Sequence, residues 1–304
     1  MRTVKNPKNI QTAEEITWCP GCPNFMILAS VKQTVEKLIK EKKYKQTDFA
    51  MTTDIGCHAK IFDYLNLSGI YCLHGRALPT GLGIKLGNPN AKLLTFVGDG
   101  AGYAEGISHF VHAFRYNADM TLFLHDNQSF SLTTGQPTPT SQTGFKSKAK
   151  PQGEENNPIN PILIALAAGA TFIARANARN IKQLSEILEK AIAHKGFSFI
   201  EIIQDCLIFN PEANNKDKRM YTVKDNTNKN KAIKLAQQYD YNSKKGKIPM
   251  GIIYHNKNIP DLTAKWMQLT NLKKKAWADY VRNSIIFLIV FSHFRRFEFS
   301  LHLR

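Results

Sequence analysis

The sequence predicts an α/β fold, a parallel sheet flanked by helices, and three observations carry that reading. Apolar strand-like runs alternate with helical periodicity from Phe25 to Ile203. One such run passes straight into Gly98-Asp99-Gly100. The composition then changes after Asn210. Alternation of this kind implies parallel strands joined by crossover helices, with ligands held at the carboxyl ends of the strands.

The elements follow in chain order. Phe25, Leu28, Val31, Val35, Leu38 and Ile39 recur at helical spacing, which predicts a helix over Phe25–Lys40. An extended run, Phe49 to Ile55, ends at Gly56 and Cys57, and a small-residue helix over Ala77–Leu86 stops at Asn88-Pro89-Asn90. Lys92–Val97 reads as a strand, Tyr103–Tyr116 as a helix and Met120–Leu124 as the next strand. The pattern continues as helix Pro161–Ala168, strand Thr171–Ala176, helix Ile181–His194 and strand Phe197–Ile203. Between the halves, Thr133–Asn160 is rich in Gly, Pro, Ser and Thr, and a connection of that length in a compact domain is usually functional. Two parts are therefore expected: a ligand-binding domain over 1–210 and a C-terminal extension over 211–304. Tyr239–Lys247 is especially polar, and the last twenty residues have no interpretable period.

At 304 residues and 43% hydrophobic composition the chain can bury a full core. Its net charge of +17 raises nucleic acid as a partner, but the lysines are scattered among asparagines rather than gathered into a basic stripe, so no nucleic-acid partner is expected. No secretory signal precedes Trp18. The longest apolar run, Ile285–Phe291, falls far short of the roughly 20 residues a spanning helix needs. A cytoplasmic protein without membrane segments is expected, and in that compartment its five cysteines read as ligands or buried thiols rather than as a disulfide framework.

Asp99 sits between two glycines directly after an apolar strand, where a carboxylate can face a divalent ion while the Gly100 backbone approaches a diphosphate closely. Twenty-six residues, enough for one helix and one strand, separate Gly100 from Asn127 and return Asn127 to the end of the neighbouring strand. Two oxygen ligands together with diphosphate oxygens suit magnesium. Among the cysteines, Cys19 and Cys22 form a CxxC turn, Cys57 ends the first strand and Cys206 follows the last. Cys72, between Tyr71 and Leu73, reads as a buried thiol. Four thiolates can hold either a tetrahedral zinc or an iron–sulfur cluster, and the cysteines alone do not distinguish the two.

Several segments in order resemble the thiamine-diphosphate enzymes, specifically the beta subunits of the 2-oxoacid:ferredoxin oxidoreductases. They are Trp18-Cys19-Pro20-Gly21-Cys22, Asp54-Ile55-Gly56-Cys57, Leu73-His74-Gly75-Arg76-Ala77-Leu78-Pro79, the Gly-Asp-Gly turn, and Leu132-Thr133-Thr134-Gly135-Gln136 with Pro139-Thr140-Ser141. The resemblance covers Trp18 to Asn210. It implies the diphosphate- and magnesium-binding half of a thiamine-diphosphate fold, with Mg2+ held by Asp99, Asn127 and the Ser129 backbone carbonyl. It implies a [4Fe-4S] cluster on Cys19, Cys22, Cys57 and Cys206. The cofactor would be lined by Ile55, Gly56, Cys57, His58, His74, Gly100, Ala101, Ser131 and Leu132, with Lys60 as the catalytic partner of the substrate carboxylate.

The implied reaction is oxidative decarboxylation of a 2-oxoacid, 2-oxoglutarate or pyruvate, with coenzyme A, electrons leaving to ferredoxin. An alpha subunit carrying the pyrimidine-binding half would complete the site, and the chain alone would be inactive. The short length and the Trp-Cys-Pro-Gly-Cys start lean towards the 2-oxoglutarate-type or broad-specificity members. The sequence departs from the family pattern at Pro23, Ala101, Phe130, Ser131 and Thr134, and it lacks the common proline before Cys206; none of these removes a ligand. Two other readings are a thiamine-dependent decarboxylase or synthase without a cluster, which leaves four placed cysteines idle, and a zinc-stabilised basic scaffold, which leaves Gly-Asp-Gly unexplained.

Overall fold

The computed structural model describes residues 9–211, 217–243 and 245–270. Its centre is an eight-stranded sheet in the order β2-β1-β3-β4-β6-β5-β8-β7. The strands β1 (Phe49–Thr53), β2 (Ser68–Tyr71), β3 (Lys92–Gly98), β4 (Met120–Asp126), β5 (Phe172–Asn177) and β6 (Phe197–Ile203) are parallel to one another. Every residue of β3, β4 and β6 is buried, as expected of strands covered by helices on both faces, and this is why they read as apolar runs without alternation.

Side chains still alternate between the two faces. Leu94 and Phe96 of β3 join one core cluster, and Leu93 and Val97 join the other. On the first face lie α1 (Asn24–Lys40) and α6 (Ile181–Ala193), packed on each other through Ile27, Val31 and Val35 of α1 and Leu184, Ile187 and Leu188 of α6. On the second lie α3 (Ala77–Gly87), α4 (Ile107–Tyr116) and α5 (Pro161–Ala167), which place Phe110, Phe114 and Ile162 against Leu122, Leu124 and Phe199. A short helix, α2 (Ile61–Tyr64), lies between β1 and β2. Asparagines start several helices: Asn160 and Asn180 accept from the backbone N–H of Leu163 and Gln183 at 3.1 Å. Such caps contribute about 1 kcal/mol each.

The helix expected over Tyr103–Tyr116 is in fact two pieces. Ala101–Glu105 forms a wide π-type turn, closed by the Gly106 N–H donating to the Ala101 carbonyl at 2.8 Å, and α4 starts only after Gly106. The cause is close packing. A Cβ on Gly106 would lie 2.8 Å from the Ala101 carbonyl oxygen and 3.1 Å from Gly75. Turns of this kind cluster at functional sites, and this one directly follows Asp99-Gly100.

The segment after Asn210 continues the sheet. Beyond α7 (Lys229–Gln237), β8 (Ile248–His255) pairs antiparallel with β5, and β7 (Met220–Thr222) pairs parallel with β8; α8 (Leu262–Thr270) follows. An otherwise parallel sheet thus gains two strands, β8 and β7, that run opposite to the rest through a single antiparallel pairing, a common kind of arrangement at the edge of α/β sheets. The polar stretch Tyr239–Lys247 carries two tyrosines, Tyr239 and Tyr241, that pack with Ile203, Ile248 and Met250 in a third core cluster. Ile285–Phe291 and the last twenty residues lie outside the described residues.

Candidate active site

Four chain segments leave the carboxyl ends of neighbouring strands on one side of the sheet: Asp54–Cys57 after β1, Asp99–Ala101 after β3, Asn127–Ser131 after β4 and Gln204–Cys206 after β6. They surround a cleft at the carboxyl ends of the strands, where α/β sheets bind their ligands. Ile55, Gly56, Cys57, His58, His74, Gly100, Ala101, Ser131 and Leu132 all line it, as do Asp99, Asn127 and Ser129. Sequence reasoning gave no site role to His125 and Gln204, which also form its wall with Gly98 of the Gly-Asp-Gly turn, and noted Phe130 only as a departure.

The glycines of the turn make room for side chains. A Cβ on Gly100 would collide with the Phe130 ring, and one on Gly98 would come within 2.7 Å of the His58 ring. Asp99 is buried, and its Oδ2 accepts hydrogen bonds from Thr138 Oγ1 at 2.6 Å and Thr140 Oγ1 at 2.9 Å. Burial raises its pKa to about 6 against the pull of those hydroxyls. Beside it Asn127 begins a tight turn in which Gln128 takes a left-handed conformation at φ 56°. Asn127 Oδ1 accepts from the Ser129 N–H at 3.1 Å, and its Nδ2 donates to Ser131 Oγ at 3.1 Å, so this loop is braced by its own side chains.

Several buried polar atoms of the cleft wall have no hydrogen-bond partner among the described residues: His74 Nδ1, His125 Nε2, Ser129 Oγ and Gln204 Oε1. Orphaned buried groups are costly and call for a ligand, ion or water. A polar cofactor fits this wall, and the acidic and amide oxygens of Asp99 and Asn127 fit a hard divalent cation. His58 is fixed by a 2.5 Å bond between its Nε2 and Asp54 Oδ1, and burial with the neighbouring His58 pushes His125 well below the ordinary histidine range.

The cysteines gather at one end of the cleft. Cys57 lines the cleft, its carbonyl accepts from the Trp18 indole N–H at 2.6 Å, and Trp18 packs edge-on against Phe25 and Tyr64. This indole ties the CxxC segment to the end of β1. Gly21, at φ 78°, abuts Leu207 beside Cys206. Burial lifts the Cys22 thiol to about 11, and the Cys57, Cys19 and Cys206 thiols add to that rise. The Cys57 thiol is likewise raised, first by burial and then by Cys206. Cys22 and Cys57 thus both feel the charge of Cys19 and Cys206, and none of the four is in a disulfide. Among the described residues, no three His, Cys, Asp or Glu side chains converge on a single-ion site. Cys72 lies apart and is buried.

Lys60 is not in the cleft wall. Its Nζ donates to Thr17 Oγ1 at 3.0 Å and to the Thr17 carbonyl at 3.2 Å, though its charge still lowers the Cys57 pKa. Arg76 reaches the Glu105 carbonyl at 3.0 Å and so braces the π-type turn. Thr138 and Thr140, which clamp Asp99, come from the long Thr133–Asn160 segment. The resemblance includes Thr140 in a motif without giving it a role.

Residues 54–202 match the family described as thiamine pyrophosphate enzyme, C-terminal TPP binding domain. The 2-oxoacid:ferredoxin oxidoreductase subunit beta of Saccharolobus solfataricus is 37% identical over 255 residues, 80% of this chain and 82% of the relative. The chain belongs to this beta-subunit family. This places it among the oxidoreductases and gives it a thiamine-diphosphate-binding domain. The 2-oxoglutarate synthase subunit KorB of Methanothermobacter thermautotrophicus is 31% identical over 274 residues, covering 88% of this beta-subunit chain and 92% of its own length. Among solved structures, a 2-oxoglutarate:ferredoxin oxidoreductase from Magnetococcus marinus, with 2-oxoglutarate, coenzyme A and succinyl-CoA bound, superposes with a TM-score of 0.80 at 28% identity. That match covers 90% of this chain and 94% of the other.

Proposed function

We propose that this beta subunit, with an alpha subunit supplying the pyrimidine-binding half, carries out the coenzyme-A-dependent oxidative decarboxylation of a 2-oxoacid, 2-oxoglutarate or pyruvate, and passes the electrons through a [4Fe-4S] cluster to ferredoxin. The observation that carries the reading is the double position of Cys57. It forms part of the cleft wall and also lies near enough to Cys19, Cys22 and Cys206 for their charges to interact with its own, so the cofactor cleft and the thiol group share one residue.

Asp99, Asn127 and the Ser129 carbonyl would hold Mg2+ and through it the diphosphate, while Ile55, Gly56, His58, His74, Gly100, Ala101, Ser131 and Leu132 would line the cofactor. Cys19, Cys22, Cys57 and Cys206 would ligate the cluster. Thiamine diphosphate when bound supplies the carbanion chemistry that releases CO2, and the cluster supplies one-electron acceptance. The chain's own task is placement. Thr138 and Thr140 hold the Asp99 carboxyl towards the cation position, His58 is locked by Asp54, and Trp18 fixes the Cys57 backbone. Lys60, two helical residues beyond His58, is the proposed partner of the substrate carboxylate; it would have to turn from Thr17 towards the cleft.

Exposed Leu73, Leu132, Leu207 and Ile208 are neighbours of His74, the cleft wall and Cys206 in sequence, which supports a partner subunit seated over the cleft. A cytoplasmic location is consistent with the free thiols. Among the described residues no helix is long and apolar enough to cross a membrane. A cluster-free decarboxylase leaves the four gathered thiols without a role, and a zinc scaffold leaves the cleft without one.

Anaerobic purification with iron, sulfide and zinc analysis tests the reading. About four irons and four sulfides per chain are expected, lost in Cys57→Ser and Cys206→Ser. Zinc without sulfide in the wild-type protein would remove the ferredoxin mechanism.

A further inference from the structure

Behind the cleft wall, buried polar side chains run in an unbroken line from Asp99 into the segment after Asn210. Thr140 Oγ1 lies 2.9 Å from Asp99 Oδ2 and 3.0 Å from Asp126 Oδ1. Tyr241 Oη donates to Asp126 Oδ2 at 2.5 Å and lies 2.9 Å from Glu201 Oε1. Arg175 Nε donates to Glu201 Oε2 at 2.5 Å, and the guanidinium stands 4.9 Å from the centre of the Tyr239 ring. Every member of this line is buried.

We infer that Thr140 and Tyr241 are positioning residues for the cation end of the cleft, so that the segment after Asn210 completes a site whose ligands all precede it. The inference rests on Asp99 and Asn127 being magnesium ligands, as proposed above. Asp126 is the last residue of β4 and the one before Asn127. Its carboxyl is held at one oxygen by Thr140 and at the other by Tyr241, which fixes the peptide from which Asn127 turns towards the cleft. Thr140 also contacts Asp99, so a single hydroxyl sets the spacing between the two strand ends.

Octahedral magnesium tolerates little error in ligand position, and ligands are held to such tolerance only when their own supports are locked. Tyr241 lies between α7 and β8. It reaches Asp126 only when β8 is docked on β5 and Tyr239 and Tyr241 are packed under it. The clamp on the cation site therefore comes from outside the segment that carries its ligands, residues 99–129.

The test uses the full chain with its alpha subunit and Mn2+ as a spectroscopic substitute for Mg2+, titrated in the presence of thiamine diphosphate and read by electron paramagnetic resonance. Tyr241→Phe and Thr140→Val should each weaken Mn2+ binding by about tenfold, the effect of one lost buried hydrogen bond, while iron and sulfide contents stay at the wild-type level. Thr140→Ser, which keeps the hydroxyl, should restore most of the affinity. Ile187→Ala, in the core on α6 and remote from the line, serves as the stability control. It should lower the melting temperature and leave Mn2+ affinity unchanged.

Wild-type affinity in Tyr241→Phe overturns the inference. So does an equal loss in Ile187→Ala, because the effect would then be one of stability. If the wild-type complex itself binds no Mn2+ with thiamine diphosphate, the reading of the cleft fails, and that outcome is distinguishable from the first two.

Discussion

Gly98→Ala tests how tightly the cleft is built around His58. A Cβ at this position would lie 2.7 Å from His58 Cε1 and 2.8 Å from Nδ1, whereas carbon contacts settle at about 3.5–4.0 Å. The imidazole must therefore retreat by roughly 0.7 Å or more. That movement can lengthen the 2.5 Å bond to Asp54 Oδ1 to about 3.2 Å, the outer limit of a good N–H···O bond. Asp54 is fully buried and its other oxygen has no partner among the described residues, so weakening this bond leaves the carboxyl poorly satisfied.

Weakening a buried hydrogen bond costs up to about 3 kcal/mol, and overpacking costs about 1–3 kcal/mol, so a total of roughly 3–5 kcal/mol is expected. For a chain of 304 residues the unfolding entropy is about 0.6 kcal/mol per degree, which converts that loss into a fall in Tm of roughly 5–8 °C. Thermal unfolding of the cofactor-free chain by circular dichroism reads this directly. His58→Ala supplies the internal check. With the ring gone, adding Gly98→Ala should cost little, so the two substitutions should be strongly non-additive. Additive effects, or a Tm change under 2 °C for Gly98→Ala alone, would refute the reasoning.

Asp99 predicts a pH dependence with a definite sign. Its pKa is raised by burial from 3.8 to about 6 in the folded chain, so the fold binds the extra proton between those values. The cofactor-free chain should gain stability as pH falls from about 6 towards 4 and lose it as pH rises again, by up to about 3 kcal/mol at 1.36 kcal/mol per pH unit. Urea unfolding of wild type against Asp99→Asn across this range measures the difference, and parallel profiles would disprove it. The Arg175–Glu201 pair predicts an asymmetry: both partners are fully buried, so Arg175→Met alone should cost about 3–5 kcal/mol by leaving Glu201 uncompensated, while Arg175→Met with Glu201→Leu should recover most of it. Chemical denaturation of both variants decides this, and equal losses would contradict it.

Most strands and helices up to Ile203 were legible because each is a largely apolar run or has helical apolar spacing, and these patterns are local, whereas α2 and β2, of four residues each, are too short to show one. The cleft was legible for the same reason, since Asp54–Cys57, Gly98–Ala101 and Asn127–Ser131 sit where strands end. The π-type turn at Ala101–Glu105 was not, because it depends on Gly75 and Gly106 meeting across 31 residues of sequence. Tyr241 was hidden by its polar neighbours: its partners Asp126 and Glu201 are 115 and 40 residues away. Arg175 and Glu201 sit one in each of two strands otherwise read as apolar, and only the register of β5 on β6 makes them a pair. Lys60 looked like a cleft residue because it follows Cys57 closely, but the short helical turn at His58–Lys60 carries it round to Thr17.

The ends of the sheet bear on how the chain survives before it meets a partner. An open sheet exposes a row of unpaired backbone donors and acceptors along each outer strand, a template onto which other chains can add strands. Here the outer strands are β2, with four residues, and β7, with three, while the seven-residue strands β3, β4 and β6 lie inside. The antiparallel β8 covers what would otherwise be the open side of β5. A short edge offers an incoming strand only two or three hydrogen bonds, too few to hold it. The strands that would aggregate most readily, the long and largely apolar ones, are thus the ones that a neighbouring strand shields on both sides.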